Sequence, residues 1–167
     1  MKVRRIVAAL QAQRPASDHL AAIADLARRM EAELLGLFVE DIELLHFAAL
    51  PFAREVGAVS ALQREVDVAG MERLMRARAE DLRVALAGAL ANKQVPWSFR
   101  VERGTVARQV LAAGVEEPGP TLLLPPGVNI DAEIEAVPFE ELTEARLGEI
   151  LRGTRPVLIL PREAASG

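Results

Sequence analysis

Apolar runs and helical stripes alternate along the chain. Ile6–Leu10 (IVAAL) is a short continuous apolar run, the pattern of a strand covered on both faces. Ser17 and Asp18 suit a helix N-cap, and Leu20, Ile23, Ala27, Met30 and Leu34 then recur at helical spacing. Leu34–Val39 (LLGLFV) repeats the buried-strand pattern and is closed by Glu40 and Asp41. From 41 to 60 the pattern is irregular, with a short helix over DIELLHFAAL stopped by Pro51. A long helix is predicted over about 61–92. Met71, Met75, Ala79, Leu82, Leu86 and Leu90 form its apolar stripe, and Gly70 marks a candidate bend.

Trp97, Phe99 and Val101 alternate with Ser98, Arg100 and Glu102, which predicts a strand with one wet face. Pro96 at its start suits a sheet edge. Gly104-Thr105 opens a shorter helix carrying Val106, Val110 and Ala113, and Pro118-Gly119-Pro120 turns into the strand Thr121–Leu124. Pro138 suits the first turn of a helix, with Glu140 and Glu141 favourable to its dipole and Gly153 ending it. Val157, Leu158, Ile159 and Leu160 form the last strand.

The order β-α-β-α-β-α-β-α-β predicts an α/β fold, a five-stranded mostly parallel sheet with helices on both faces. The expected domain spans 1–162, with a loose tail over 163–167. A last strand often lies at a sheet edge, and an apolar edge strand needs a cover. Residues 157–160 therefore predict a two-fold homodimer through this edge. The alternative is an interior strand, or one covered by its own chain.

Composition narrows the function classes. The chain has 167 residues, 51% hydrophobic and 26% charged, which is globular. A net charge of −4 provides no basic field for nucleic acid. The absence of cysteine excludes disulfides, thiolate catalysis and Cys-based zinc sites. The start, MKVRRIVAAL, imitates a signal peptide, but its apolar run is interrupted at Gln11 and no cleavage site follows. No membrane-spanning run is found, so a cytoplasmic protein is expected.

Catalytic signatures are sparse. His19 and His46 are the only histidines, and neither has a second histidine nearby. Ser17, Ser60 and Ser98 lack the context of an esterase nucleophile, and there is no Walker lysine. Asp131, Glu133 and Glu135 would share one side of an extended segment and could hold a divalent cation. A solvated acidic loop is the commoner meaning of such a run, and no metal is expected. The aliphatic 42–52 segment is a candidate lid or docking surface, with a satellite core as the plainer reading.

Several stretches together resemble the universal stress protein family. These are IVAAL, RRMEAELLGLFVED, RVERGTVARQVLAAG and the final RPVLILP, spread over nearly the whole chain. The resemblance implies a Rossmann-like sheet of order 3-2-1-4-5 and a dimer seam along the final strand. It also implies a site for ATP or AMP at the carboxyl ends of the first and fourth strands, with an acidic residue closing the first. Gln11 stands at that position here. The family's fourth strand leads into spaced glycines followed by Ser or Thr, which bring backbone N–H groups to phosphate. Only Gly127 is present here, behind Pro125 and Pro126, which have no N–H. Acidic residues follow, where each unscreened like-charge pair costs about 1 to 4 kcal/mol at contact.

The expectation is a non-catalytic, stress-response or regulatory domain that does not bind ATP in the family's manner. A residual pocket would lie between Gln11, Gln13, Val39, Glu40, Gly104 and Gly127. One alternative is a nucleotide binder or slow ATPase rebuilt around Arg103, the Gly104 turn and a metal. Another is an interaction module using residues 41–60 or 128–138.

Overall fold

A computed structural model describes residues 3–11, 17–41, 61–115 and 119–161. Strand β1 (Arg5–Leu10) is buried at every position, as its unbroken apolar run requires. Arg5 is the polar member, its Nε 3.6 Å from Glu33 Oε1 on the neighbouring strand. Helix α1 (Ser17–Met30) buries Leu20, Ile23, Ala24 and Ala27 along one stripe. Strand β2 (Glu33–Asp41) follows, then helix α2 (Ala61–Leu90), which runs through Gly70 without a break. Met75, Ala79, Leu82, Leu86 and Leu90 bury on the stripe read from the sequence. Each large apolar side chain removed from water contributes about 1.5–3 kcal/mol.

Strand β3 (Trp97–Gly104) and helix α3 (Val106–Val115) lead to β4 (Thr121–Leu124), which is buried throughout. The chain then forms an additional strand, β5 (Glu135–Pro138), a 3-10 turn (Phe139–Glu141), helix α4 (Glu144–Arg152) and strand β6 (Val157–Leu160). Helices α1 and α2 cover one face, around Ile6, Ala8, Leu10, Leu34 and Phe38. Helices α3 and α4 cover the other, around Val7, Ala9, Leu35, Leu37 and Val39. Among the described residues no helix is long and apolar enough to cross a membrane.

The α/β class is as expected, but the sheet has six strands in the order β3-β2-β1-β4-β6-β5. Three differences from the expectation share one cause. Residues 135–138 are a strand, so Pro138 ends β5 and caps the short 3-10 turn, without opening the α-helix. Helix α4 starts later, at Glu144, where the Thr143 side chain accepts from the Arg146 N–H at 3.1 Å. Finally, β6 runs antiparallel to β4 and parallel to β5. The real crossover unit is β5-α4-β6, and it places β6 between two strands.

That overturns the premise of the dimer seam. Val157, Leu158 and Ile159 have strand partners on both sides and Leu160 pairs with Pro138 of β5, so β6 is not the sheet edge that the seam required. The chain supplies its own cover. Val137 is buried with Val157 and Ile159, and Arg146 of α4 pairs with Glu135 of β5.

Candidate functional site

Strands β1, β2, β3 and β4 are parallel, and their carboxyl ends lie at one end of the sheet. The connections from β1 and into β4 lie on opposite faces, so the topological switch point falls between these strands, the usual ligand crevice of an open α/β sheet.

The described positions among those predicted lie at or just beyond the carboxyl ends of β1–β4, with Val39 and Glu40 on opposite faces of the sheet. Gln11 is exposed just after β1, and Gln13 lies outside the described residues. Val39 is buried toward α3, beside Val110. Glu40 is buried too, but successive strand residues point to opposite faces, so it turns toward α2. Gly104 closes β3 at φ 139°, a conformation that favours glycine, and a Cβ there would meet Gln109 Nε2 at 2.8 Å. That same Nε2 donates to the Arg103 carbonyl at 2.8 Å. Gly127 is exposed, and a Cβ on it would meet nothing within 4 Å, so no close backbone approach calls for glycine there.

Glu40 is 5% exposed, and its partner is on the next strand. Arg103 Nε donates to Glu40 Oε2 at 3.1 Å. Arg103 Nη2 also lies 3.4 Å from Glu72 Oε1 of α2, and Arg76 Nη2 lies 3.5 Å from Glu72 Oε2. Two carboxylates therefore hold Arg103, which leaves it little free charge to offer a phosphate. Nothing in the sequence pointed to Glu72 or to this network, because 63 positions separate Glu40 from Arg103.

After β4 four backbone donors are taken up within the chain. Pro125 and Pro126 have none. Val128 N–H donates to Pro125 O at 3.0 Å and Asn129 N–H to Thr154 O at 2.8 Å. Ala132 N–H donates to Asn129 O at 3.0 Å, and Asp131 N–H to the Asn129 side chain at 3.1 Å. Val128 is buried in the core with Leu10, Leu20 and Leu124, and Ile130 packs against the same cluster. A loop that cradles phosphate needs open, inward-facing N–H groups. This loop closes on itself and fills its own space with a side chain.

The acidic run is dispersed. Asp131 and Glu133 are exposed in the turn, Glu135 pairs with Arg146, and Glu140 and Glu141 sit in the 3-10 turn. Among the described residues no three His, Cys, Asp or Glu side chains are grouped to hold a metal. His19 lies in the first turn of α1, where partial burial holds its imidazole below the usual value. His46, Ser60 and the 42–60 segment lie outside the described residues. Residues 128–138, an alternative docking segment by sequence, are built into the sheet and its approach turn.

The structure of the hypothetical protein MJ0577 superposes at a TM-score of 0.53, with 10% identity, covering 99% of this chain and 100% of that one. A universal stress protein family member from Burkholderia pseudomallei matches at 0.47, with 19% identity over 96% and 97% of the two chains. A universal stress protein in complex with cAMP matches at 0.44, with 10% identity over 98% and 100%. The chain shares its fold with MJ0577 over nearly the full length of both. At these identities the likeness reaches the fold and stops short of the chemistry. No protein-family model matches the sequence, and no curated protein matches it.

Proposed function

We propose that this chain is a non-catalytic, universal-stress-protein-like domain with a regulatory or protective role in stress responses, and that it does not bind ATP through a glycine loop. The observation that supports this reading is the closed turn after β4. Its prolines lack donors, four of its N–H groups bond within the chain, and Val128 occupies the core beneath it. Arg103, the cation that a rebuilt phosphate site would use, is engaged by Glu40 and Glu72.

Titration calorimetry of the full chain with ATP and Mg²⁺ tests the proposal. The expected result is no saturable heat at micromolar nucleotide. A dissociation constant in the low micromolar range would overturn it. Release of inorganic phosphate from ATP at a rate proportional to protein concentration, and lost in Arg103→Met, would favour the slow-ATPase alternative.

A further inference from the structure

The sheet has two outer edges, and they offer different things. On β5, the Glu135 N–H bonds Pro156 O at 3.1 Å, so Glu135 and Val137 turn their backbone groups toward β6. Ala136 and Pro138 face outward, and Pro138 has no N–H. Along that edge only Ala136 can donate. It is a poor template for another strand.

Among the described residues nothing pairs with the β3 edge. Leu34 N–H donates to Pro96 O at 2.9 Å, and Leu34 pairs with Trp97 in register. Even-numbered positions of β3 therefore bond to β2, while Trp97, Phe99, Val101 and Arg103 turn their N–H and C=O groups outward. The Arg103 carbonyl obeys this parity, since it accepts from Gln109 and not from β2. Among the described residues no strand pairs with this side. Trp97 is 37% and Val101 43% exposed, two of the five large exposed hydrophobics among the described residues. An outward ladder and apolar surface thus coincide on one strand, the combination that invites strand pairing.

We propose that the β3 edge is a self-association surface, pairing antiparallel with β3 of a second copy so that Val101 stands opposite the partner's Val101. In that register Arg100 faces the partner's Glu102, and Glu102 faces the partner's Arg100. Both pairs lie on the α3 face, in line with Leu37 and Val39. Moving the two-fold axis one residue toward the amino terminus sets Arg100 against the partner's Arg100. Moving it one residue the other way sets Glu102 against the partner's Glu102. Like charges directly opposite destabilise a ladder, so the charges select one register of the three. The outward groups of Val101 form the central hydrogen-bonded pair, and the sheet becomes continuous through both copies. This surface is independent of the nucleotide reading.

Light scattering of the full chain over a concentration series tests the pairing, with circular dichroism to check the fold of each variant. The wild-type chain is expected to dimerise with concentration. Arg100→Glu and Glu102→Arg are each expected to weaken the dimer about tenfold or more, because the two-fold axis doubles every like-charge pair. The double swap should return it to within about threefold of wild type. Val101→Lys places two ammonium groups at the axis and should abolish the dimer, which keeps the proposal testable if a reversal misfolds. A wild-type chain that stays monomeric, a dimer indifferent to these changes, or a double swap no better than the single ones overturns it.

Discussion

Arg103 Nε lies 3.1 Å from the buried carboxylate of Glu40, joining the ends of β2 and β3. Glu40 is nearly inaccessible, while the Arg103 side chain is half exposed. Removing the arginine would strand a charge where water reaches it poorly. Arg103→Met is therefore expected to cost about 1–3 kcal/mol, the exposed partner keeping it below a fully buried pair. Glu40→Gln should cost less, because the remaining arginine can reach water and Glu72. Urea unfolding of both single variants and the double variant closes a cycle, and a coupling near zero would refute the link.

Gly36 and Gly88 predict opposite outcomes for the same exchange. A Cβ on Gly36 would lie 2.8 Å from Leu86 Cδ2 and 3.2 Å from Phe99 Cδ2. Gly36→Ala thus pushes α2 from the sheet and should cost about 1–3 kcal/mol. A Cβ on Gly88 meets nothing within 4 Å, and the residue is in the last turn of α2. Gly88→Ala should stabilise by about 0.5 kcal/mol, chiefly by restricting the unfolded chain. Thermal unfolding of the two variants distinguishes the signs.

Val128 anchors the turn after β4, being 6% exposed within the core. Val128→Ala should cost about 2 kcal/mol as buried methyl groups are lost. The same variant should not gain ATP affinity, since the N–H groups of Val128, Asn129 and Ala132 remain bonded within the chain. Denaturation and calorimetry on one preparation check both halves.

His19 gives the stability a small pH dependence of known sign. Burial lowers its folded-state pKa below the ordinary value of 6.5. As pH falls through this window the unfolded chain takes up the proton first, so the native state loses stability. The effect is absent above the unfolded value and complete below the folded one. Partial exposure keeps it small. The urea midpoint should fall slightly from about pH 7.5 to about pH 5, and His19→Gln should flatten that part of the curve. An identical slope in the variant would exclude His19 as the cause.

Much of the fold was legible in the chain. The buried run Ile6–Leu10, the α2 stripe through Leu82 and Leu86, and the edge position of β3 behind Pro96 all appear as the local pattern indicates. Gly104 was legible as a turn, and Pro125-Pro126 as a loop poor in donors. The extra strand was not. In Glu135–Pro138 only Val137 is buried, and one buried residue in four makes no readable alternation. The salt-bridge network was equally silent, because Glu40, Glu72 and Arg103 come from three separate elements.

Apart from β5 and the start of α4, the sequence by itself determined which segments become strands and helices and which faces they bury, because periodicity is a property of neighbours along the chain. It also determined that the turn after β4 is short of donors, because proline lacks an N–H in any fold. Tertiary structure alone decided the direction and neighbours of Val157–Leu160. A continuously apolar strand buries equally well parallel or antiparallel, so its own residues carry no instruction about direction. That choice came from β5 and the β5-α4-β6 crossover, which puts β6 inside the sheet, while among the described residues the β3 edge at Val101 stays unpaired.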